Sequence, residues 1–238
     1  MKEMTEDSPK CLVKLAGKAL LTWQLQAFQA ASITKLLVVK GYKEEKIQGD
    51  FATVINTDWA STNMLSSLLC ANTFIEEHFS RGYNRVIVSY SDIVYHPAHI
   101  TKLLSAQGDI ALTYDVLWKD LWTLRFGDPL RDAETFKEED GILKEIGDRP
   151  KSLDQIAGQY MGLLSFTRPG WQIVQDTCKE LAVPTMDMTG FLRELLRRKI
   201  QIKTVPVEGK WCETDSQDDR AKYELALQSN NWSHDWRW

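Results

Sequence analysis

Two acidic stretches, far apart in the chain, hold the residue types best suited to chemistry. Residues 86–92 form a short apolar run that ends on Asp92. Residues 209–219 form a Trp-anchored turn from which Glu213 and Asp215 project at alternate positions, before a helix begins. Asp92 and Asp215 could together hold a magnesium ion, because Mg²⁺ is usually bound by one or two carboxylates plus substrate phosphates. On an extended backbone Glu213 shares the face of Asp215. It could be a second ligand, a contact to a substrate amine, or a solvated glutamate. Plainer readings exist for the aspartates: Asp92 as a turn or cap residue after a strand, and Asp215 as the N-cap of the last helix, a job Ser216 could take instead. A shared metal points to nucleotide chemistry.

The elements that must position these residues can be read from periodicity. Leu20, Leu21, Leu25 and Phe28 recur at helical spacing. Residues 33–39 are an apolar run closed by Gly41, which reads as a buried strand. Residues 52–56 predict another strand, and residues 63–79 a helix with Met64, Leu68, Leu69, Ala71 and Ile75 on one face. After the strand that leads to Asp92, Pro97 opens a helix that Gly108 stops, and residues 110–114 return to a strand. This alternation predicts a mostly parallel sheet covered on both faces. Ligands of such sheets bind outside the carboxyl ends of strands, where Asp92 falls. Residues 118–162 break the rhythm. Within them residues 136–146 read as a hairpin around Asp140-Gly141, expected to be a flap or insert over the site. The pattern then resumes with a strand at 162–166, helices from Pro169 and over 189–199, a strand at 200–207 and a last helix over 216–227. Trp232, Trp236 and Trp238 mark a tail that either packs on the domain or meets a partner, such as a second copy in a homodimer.

Bulk composition narrows the classes. The 238 residues are 43% apolar and 26% charged, as in a single globular α/β domain. A net charge of −4 without a basic cluster gives no support for nucleic-acid binding. No apolar run reaches the length of a membrane span, and no signal peptide is visible. Four scattered cysteines lack the spacing of a zinc site and are expected to be reduced, in a cytoplasmic protein.

Several ordered segments resemble the sugar-nucleotide-type nucleotidyltransferases, most of all the phosphocholine and phosphonate cytidylyltransferases. Ser8-Pro9-Lys10 followed by Gly17-Lys18 is similar to the family's PK-L and G-K-P-L-L segment. Gly41-Tyr42 closes a strand as its "vv-GY" motif does. Asn63 and Ser67 resemble its N-to-SL helix start, Ser91-Asp92 stands where the family has Gly-Asp, and Trp211, Glu213 and Asp215 match W-E-I-D. Residues 122–136 and 145–162 resemble the subgroup that transfers CMP onto phosphonates such as 2-aminoethylphosphonate.

The resemblance implies a three-layer, Rossmann-like (GT-A-like) nucleotidyltransferase fold and an Mg²⁺-dependent reaction. An acceptor oxygen attacks the α-phosphorus of CTP and pyrophosphate leaves. Alternative acceptors are phosphocholine or a sugar 1-phosphate. It implies Lys10 as a point charge beside the phosphates, although a lone lysine is usually a solvated one. Asn63 and Ser67 would read the cytosine edge or ribose, or merely cap their helix. Arg125, Arg149 and Lys151 would hold the acceptor's phosphonate. Glu134 and Asp132 would meet its ammonium, as would the faces of Trp118 and Trp122. Gln159 and Tyr160 would line the pocket. The family opens with a strand and a Gly-rich phosphate loop. This sequence starts nine residues before Lys10, so those parts are expected to be missing from it or encoded upstream. A chain truly without the loop would be an inactive homologue that serves as a binding module.

Overall fold

The computed structural model describes residues 6–181, 183–229 and 231–238. In chain order the strands are β1 (Lys14–Leu15), β2 (Lys18–Ala19), β3 (Leu37–Lys40), β4 (Ala52–Ile55), β5 (Val86–Ser89), β6 (Ile93–Tyr95), β7 (Ile110–Asp115), β8 (Phe136–Glu139), β9 (Ile142–Ile146), β10 (Gln159–Phe166), β11 (Lys203–Val207) and β12 (Trp211–Glu213). The α-helices are α1 (Leu20–Ala30), α2 (Met64–Cys70), α3 (Asn72–Ser80), α4 (Pro97–Leu104), α5 (Trp118–Phe126), α6 (Arg168–Glu180), α7 (Met188–Arg197) and α8 (Gln217–Ala226). The helix read over 63–79 is two helices, α2 and α3, that meet at Ala71.

Six strands form the central sheet in the order β5-β10-β7-β11-β9-β8. Its two faces carry separate cores, because successive strand residues point to opposite sides. Ala111 and Leu163 face one core with Leu20, Trp23, Ile100, Leu121, Trp122 and Tyr223, from α1, α4, α5 and α8. Ile110, Leu112, Leu164 and Phe166 face the other with Leu65, Ile75, Trp171 and Phe191, from α2, α3, α6 and α7. The result is the three-layer arrangement expected from the alternating pattern. The sheet is mixed, but its pairing is less parallel than that pattern suggests. Strands β5, β7 and β11 run the same way, yet β10 lies between β5 and β7 and runs against both. Only β7 and β11 are parallel neighbours within the six. β3 and β4 form a separate parallel pair, and β5 has no second neighbour among the described residues.

The hairpin forms as its turn chemistry dictates: Asp140 and Gly141 both have positive φ, at 55° and 70°, the backbone that a tight Asp-Gly turn requires. It is not a flap. Ile142 pairs with Lys203 of β11 and the Leu143 N–H donates to the Ile202 carbonyl, so β9 and β8 become the sheet's outer strands. Apolar Leu143, Ile146 and Phe136 drive this, since each buries its side chain in the second core. The tail, by contrast, packs as the plainer reading has it. Trp236 is fully buried, Trp232 stacks on Tyr223, and only Trp238 stays exposed. No helix among the described residues is long and apolar enough to cross a membrane.

One glycine sets the approach of the strands beneath the site. Gly162 interrupts the β10–β7 register at φ +77°, and a Cβ there would lie 2.7 Å from the ring of Tyr90. The Tyr90 N–H donates to the Gly162 carbonyl, so the two segments cannot simply separate. Gly162→Ala is expected to lose about 1–3 kcal/mol in urea denaturation; unchanged stability would show that the bulge relaxes freely.

Candidate active site

Strand pairing explains how residues more than a hundred positions apart meet. β12 runs antiparallel to β6, with Glu213 opposite Ile93. The Thr214 N–H donates to the Asp92 carbonyl and continues that ladder. Asp92 therefore sits beside the stretch that carries Glu213 and Asp215. The loop before β6 is clamped from above: the amide of Gln24, buried in α1, donates to the carbonyls of Tyr90 (2.9 Å) and Ile93 (2.7 Å). Carboxylate oxygens of Asp92, Glu213 and Asp215 all lie within 4.8 Å of one another.

Ser216, not Asp215, caps α8. Its hydroxyl accepts from the Asp219 N–H, and the Asp219 carboxylate accepts from the Ser216 N–H in return, a capping box. This frees the Asp215 side chain for other partners. The signal for Asp219 was present in the sequence as a Ser-x-x-Asp spacing, but it marks a helix start and not a partner for an arginine.

Arg125 is where the structure departs most from expectation. It is not exposed to an acceptor: its side chain is 1% accessible and lies beneath the carboxylates. Its Nη1 donates to Glu213 (2.8 Å), Nη2 to Asp215 (2.7 Å) and Nε to Asp219 (3.1 Å). The guanidinium also sits 4.8 Å from the ring centre of Phe126. Every nitrogen of the fork is engaged and the group is buried, so it does not face a phosphonate. Trp118 and Trp122 are likewise buried in the core, with no open face for a cation.

Lys10 closes the cluster from the other side. It follows Pro9 in a short 3₁₀ turn, and its ammonium donates to Asp92 (2.7 Å) and to Asp215. Four carboxylates thus face two cations, which leaves two negative charges uncompensated when all are ionised. The strain shows in Glu213. Burial pushes its carboxyl up to about 7; Arg125 pulls it down, and Asp215 and Asp92 push it up. The Asp92 Oδ1 is buried without a hydrogen-bond partner among the described residues. An all-oxygen donor set, two uncompensated charges and an orphaned carboxylate oxygen fit a hard divalent cation such as Mg²⁺.

The other expected residues are placed differently. Asn63 is the N-cap of α2, its Oδ1 accepting from the Met64 N–H, and Ser67 accepts from Asn56, which also reaches Thr62. The Asn63 contact is a helix cap, whereas the Ser67 contact ties α2 to the segment after β4. Gln159 is buried, and its amide is spent on the backbone of Glu134 and Gly158. It shapes the loop before β8. Glu134, Arg149 and Lys151 are exposed, and Tyr160 sits edge-on to Tyr90 with its hydroxyl unpartnered among the described residues. His99 is buried and bonded to the Gly209 carbonyl; burial lowers it to about 4.

One support escaped sequence reasoning altogether. Asp115, at the end of β7, is fully buried and accepts from the Gly209 N–H (2.8 Å), Trp211 Nε1 (3.0 Å) and His234 Nε2 (2.8 Å). It ties the turn before β12 and the tail to the sheet, so β12 presents Glu213 from a fixed position.

Residues 2–121 match the MobA-like NTP transferase domain. The chain belongs to that family. It is 30% identical over 234 residues to the CTP:phosphoglutamine cytidylyltransferase of Campylobacter jejuni, a match covering 91% of each protein. It is 26% identical over 235 residues to the bifunctional IPC transferase and DIPP synthase of Aquifex aeolicus, which covers 95% of this chain and 49% of that protein. Among solved structures, the inositol-1-phosphate CTP transferase of T. maritima superposes with a TM-score of 0.71 at 15% identity, over 94% of this chain and 89% of that one. The chain is a nucleotidyltransferase.

Removal of the buried cation tests the frame of this site. Arg125→Met is expected to destabilise the protein by about 3–5 kcal/mol, because it strands carboxylates that cannot all reach water. Arg125→Lys, which keeps the charge and loses the fork, is expected to lose distinctly less. Equal urea midpoints for wild type and Arg125→Met would show that the fork is dispensable.

Proposed function

We propose that this nucleotidyltransferase moves CMP from CTP onto a small acceptor that carries a phosphate or phosphonate and an ammonium group. The convergence of Asp92, Glu213 and Asp215 with Lys10 carries this reading. The acceptor's phosphoryl oxygen attacks the α-phosphorus of CTP; the bond from that phosphorus to the bridging oxygen breaks, and pyrophosphate leaves with the electron pair. The attacking oxygen is already anionic near neutral pH, so positioning and charge neutralisation dominate over base catalysis. Asp92, Asp215 and Glu213 would hold Mg²⁺, which when bound would neutralise phosphate charge. Lys10 offers a compact, mobile ammonium to the phosphates. Arg125 keeps the acids aimed without touching substrate.

Cytidine as the base is supported by the Campylobacter relative, whose name specifies CTP. For the acceptor, the exposed acids Glu134 and Asp132 lie on the loop that Gln159 shapes, and they suit an ammonium. Nearby Lys151 and Arg149 suit a phosphonate. We take 2-aminoethylphosphonate as the leading acceptor, with phosphoglutamine and phosphocholine as rivals.

Pyrophosphate release is the direct test, with CTP, UTP, GTP and ATP crossed against these three acceptors and inositol 1-phosphate. Turnover is expected with CTP and one amine-bearing acceptor, and its loss with EDTA. Asp92→Asn and Asp215→Asn are each expected to cut kcat by about 10²-fold or more. Preference for another base, or full activity in either variant, would overturn the assignment.

A further inference from the structure

The position of Lys10 carries a consequence beyond the reaction itself. Its ammonium donates to Asp92 Oδ2 and to Asp215 Oδ1, and those two carboxylates belong to the same group of three that suits a divalent ion. An ammonium is a compact point charge, of similar use to the acids as a metal ion. We infer that Lys10 is an internal counter-cation, which occupies the metal position in the nucleotide-free enzyme and must swing away for the metal to enter.

Coulomb repulsion requires the exchange. Two cations a few ångströms apart, in a part-buried site, repel by several kcal/mol. The side chain is able to leave: it extends from a short turn after Pro9 and is 19% accessible. Arg125 cannot do so, because it is buried and bonded to three carboxylates. The two cations therefore divide the work. One is fixed and structural, the other exchangeable.

Displacement also gives Lys10 a destination. Off the carboxylates, its ammonium needs an anion, and the triphosphate of the nucleotide is the anion this site receives. Metal and nucleotide should then bind with positive coupling, each removing a cost for the other. In the nucleotide-free enzyme, metal affinity is held down by the occupant. This inference rests on the proposed metal site, but it fails separately from it.

The test is Mn²⁺ binding, followed by electron paramagnetic resonance, without nucleotide. Lys10→Met is expected to bind Mn²⁺ about tenfold tighter than wild type, whereas Lys10→Arg, which keeps the positive charge, is expected to stay within about threefold of wild type. Asp215→Asn in the Lys10→Met background should abolish that gain. Water-proton relaxation, which separates the Mn–CTP pair from the ternary complex, should show CTP tightening Mn²⁺ binding to wild type and much less so to Lys10→Met. Thermal melts check folding: Lys10→Met is expected to melt lower than wild type in EDTA and to recover with Mn²⁺. Equal or weaker Mn²⁺ binding by a folded Lys10→Met, with measurable binding by wild type, would overturn the exchange and leave the metal site standing. Absence of Mn²⁺ binding in every protein, Lys10→Met included, would overturn both.

Discussion

The fork of Arg125 is the interaction on which the rest of the site depends. Glu213, Asp215 and Asp219 come from one short stretch, and like charges so close repel unless a cation lies among them. A guanidinium serves where an ammonium would not, because it presents donors along fixed edges to several acceptors at once. Its burial strengthens each bond, since little water competes in the low local dielectric. Burial also makes the fork permanent: Arg125 rests on Phe126 and Trp122, and the Lys222 ammonium donates to its backbone carbonyl. The more open side of the cluster is met by Lys10.

A second constraint acts on the backbone. The site is assembled from two short strands, β6 and β12, that stand outside the central sheet. A two-stranded ribbon of three residues a side has little stability of its own. It is held by buried polar anchors: Gln24 grips the loop before β6, and Asp115 grips the turn before β12 together with the tail through His234. Buried polar groups are costly unless satisfied; Asp115 accepts from three donors, and the Gln24 amide donates to two carbonyls. The indoles of Trp211 and Trp236 are buried in the same core. The active-site geometry is thus set by contacts in the core, well beneath the atoms that would touch substrate.

The apolar code of the strands and helices was legible because burial on a sheet or along a helix face has a fixed period. Runs such as 110–114 and the Asp140-Gly141 turn needed nothing beyond local rules. The role of the hairpin was not legible. Whether it covers the site or extends the sheet depends on which edge receives Ile142, and that edge is built by β11 some sixty residues later. The direction of β10 was hidden for the same reason: an apolar strand reads alike in either orientation.

For the site, the sequence by itself determined the candidate groups. Asp92, Asp215, Glu213 and Lys10 stand in ordered motifs, their types suit a hard cation and phosphates, and that information is local. Only the tertiary structure decided what each charge is for. Arg125 reads from the chain as a surface anion clamp. It proves to be a buried counter-charge, because α5 packs against α8 and carries it under β12. Asn63 caps its own helix, Ser67 accepts from Asn56, and Gln159 is consumed by backbone. A side chain's function depends on which partners reach it first, and partners distant in sequence are brought within reach only by the fold.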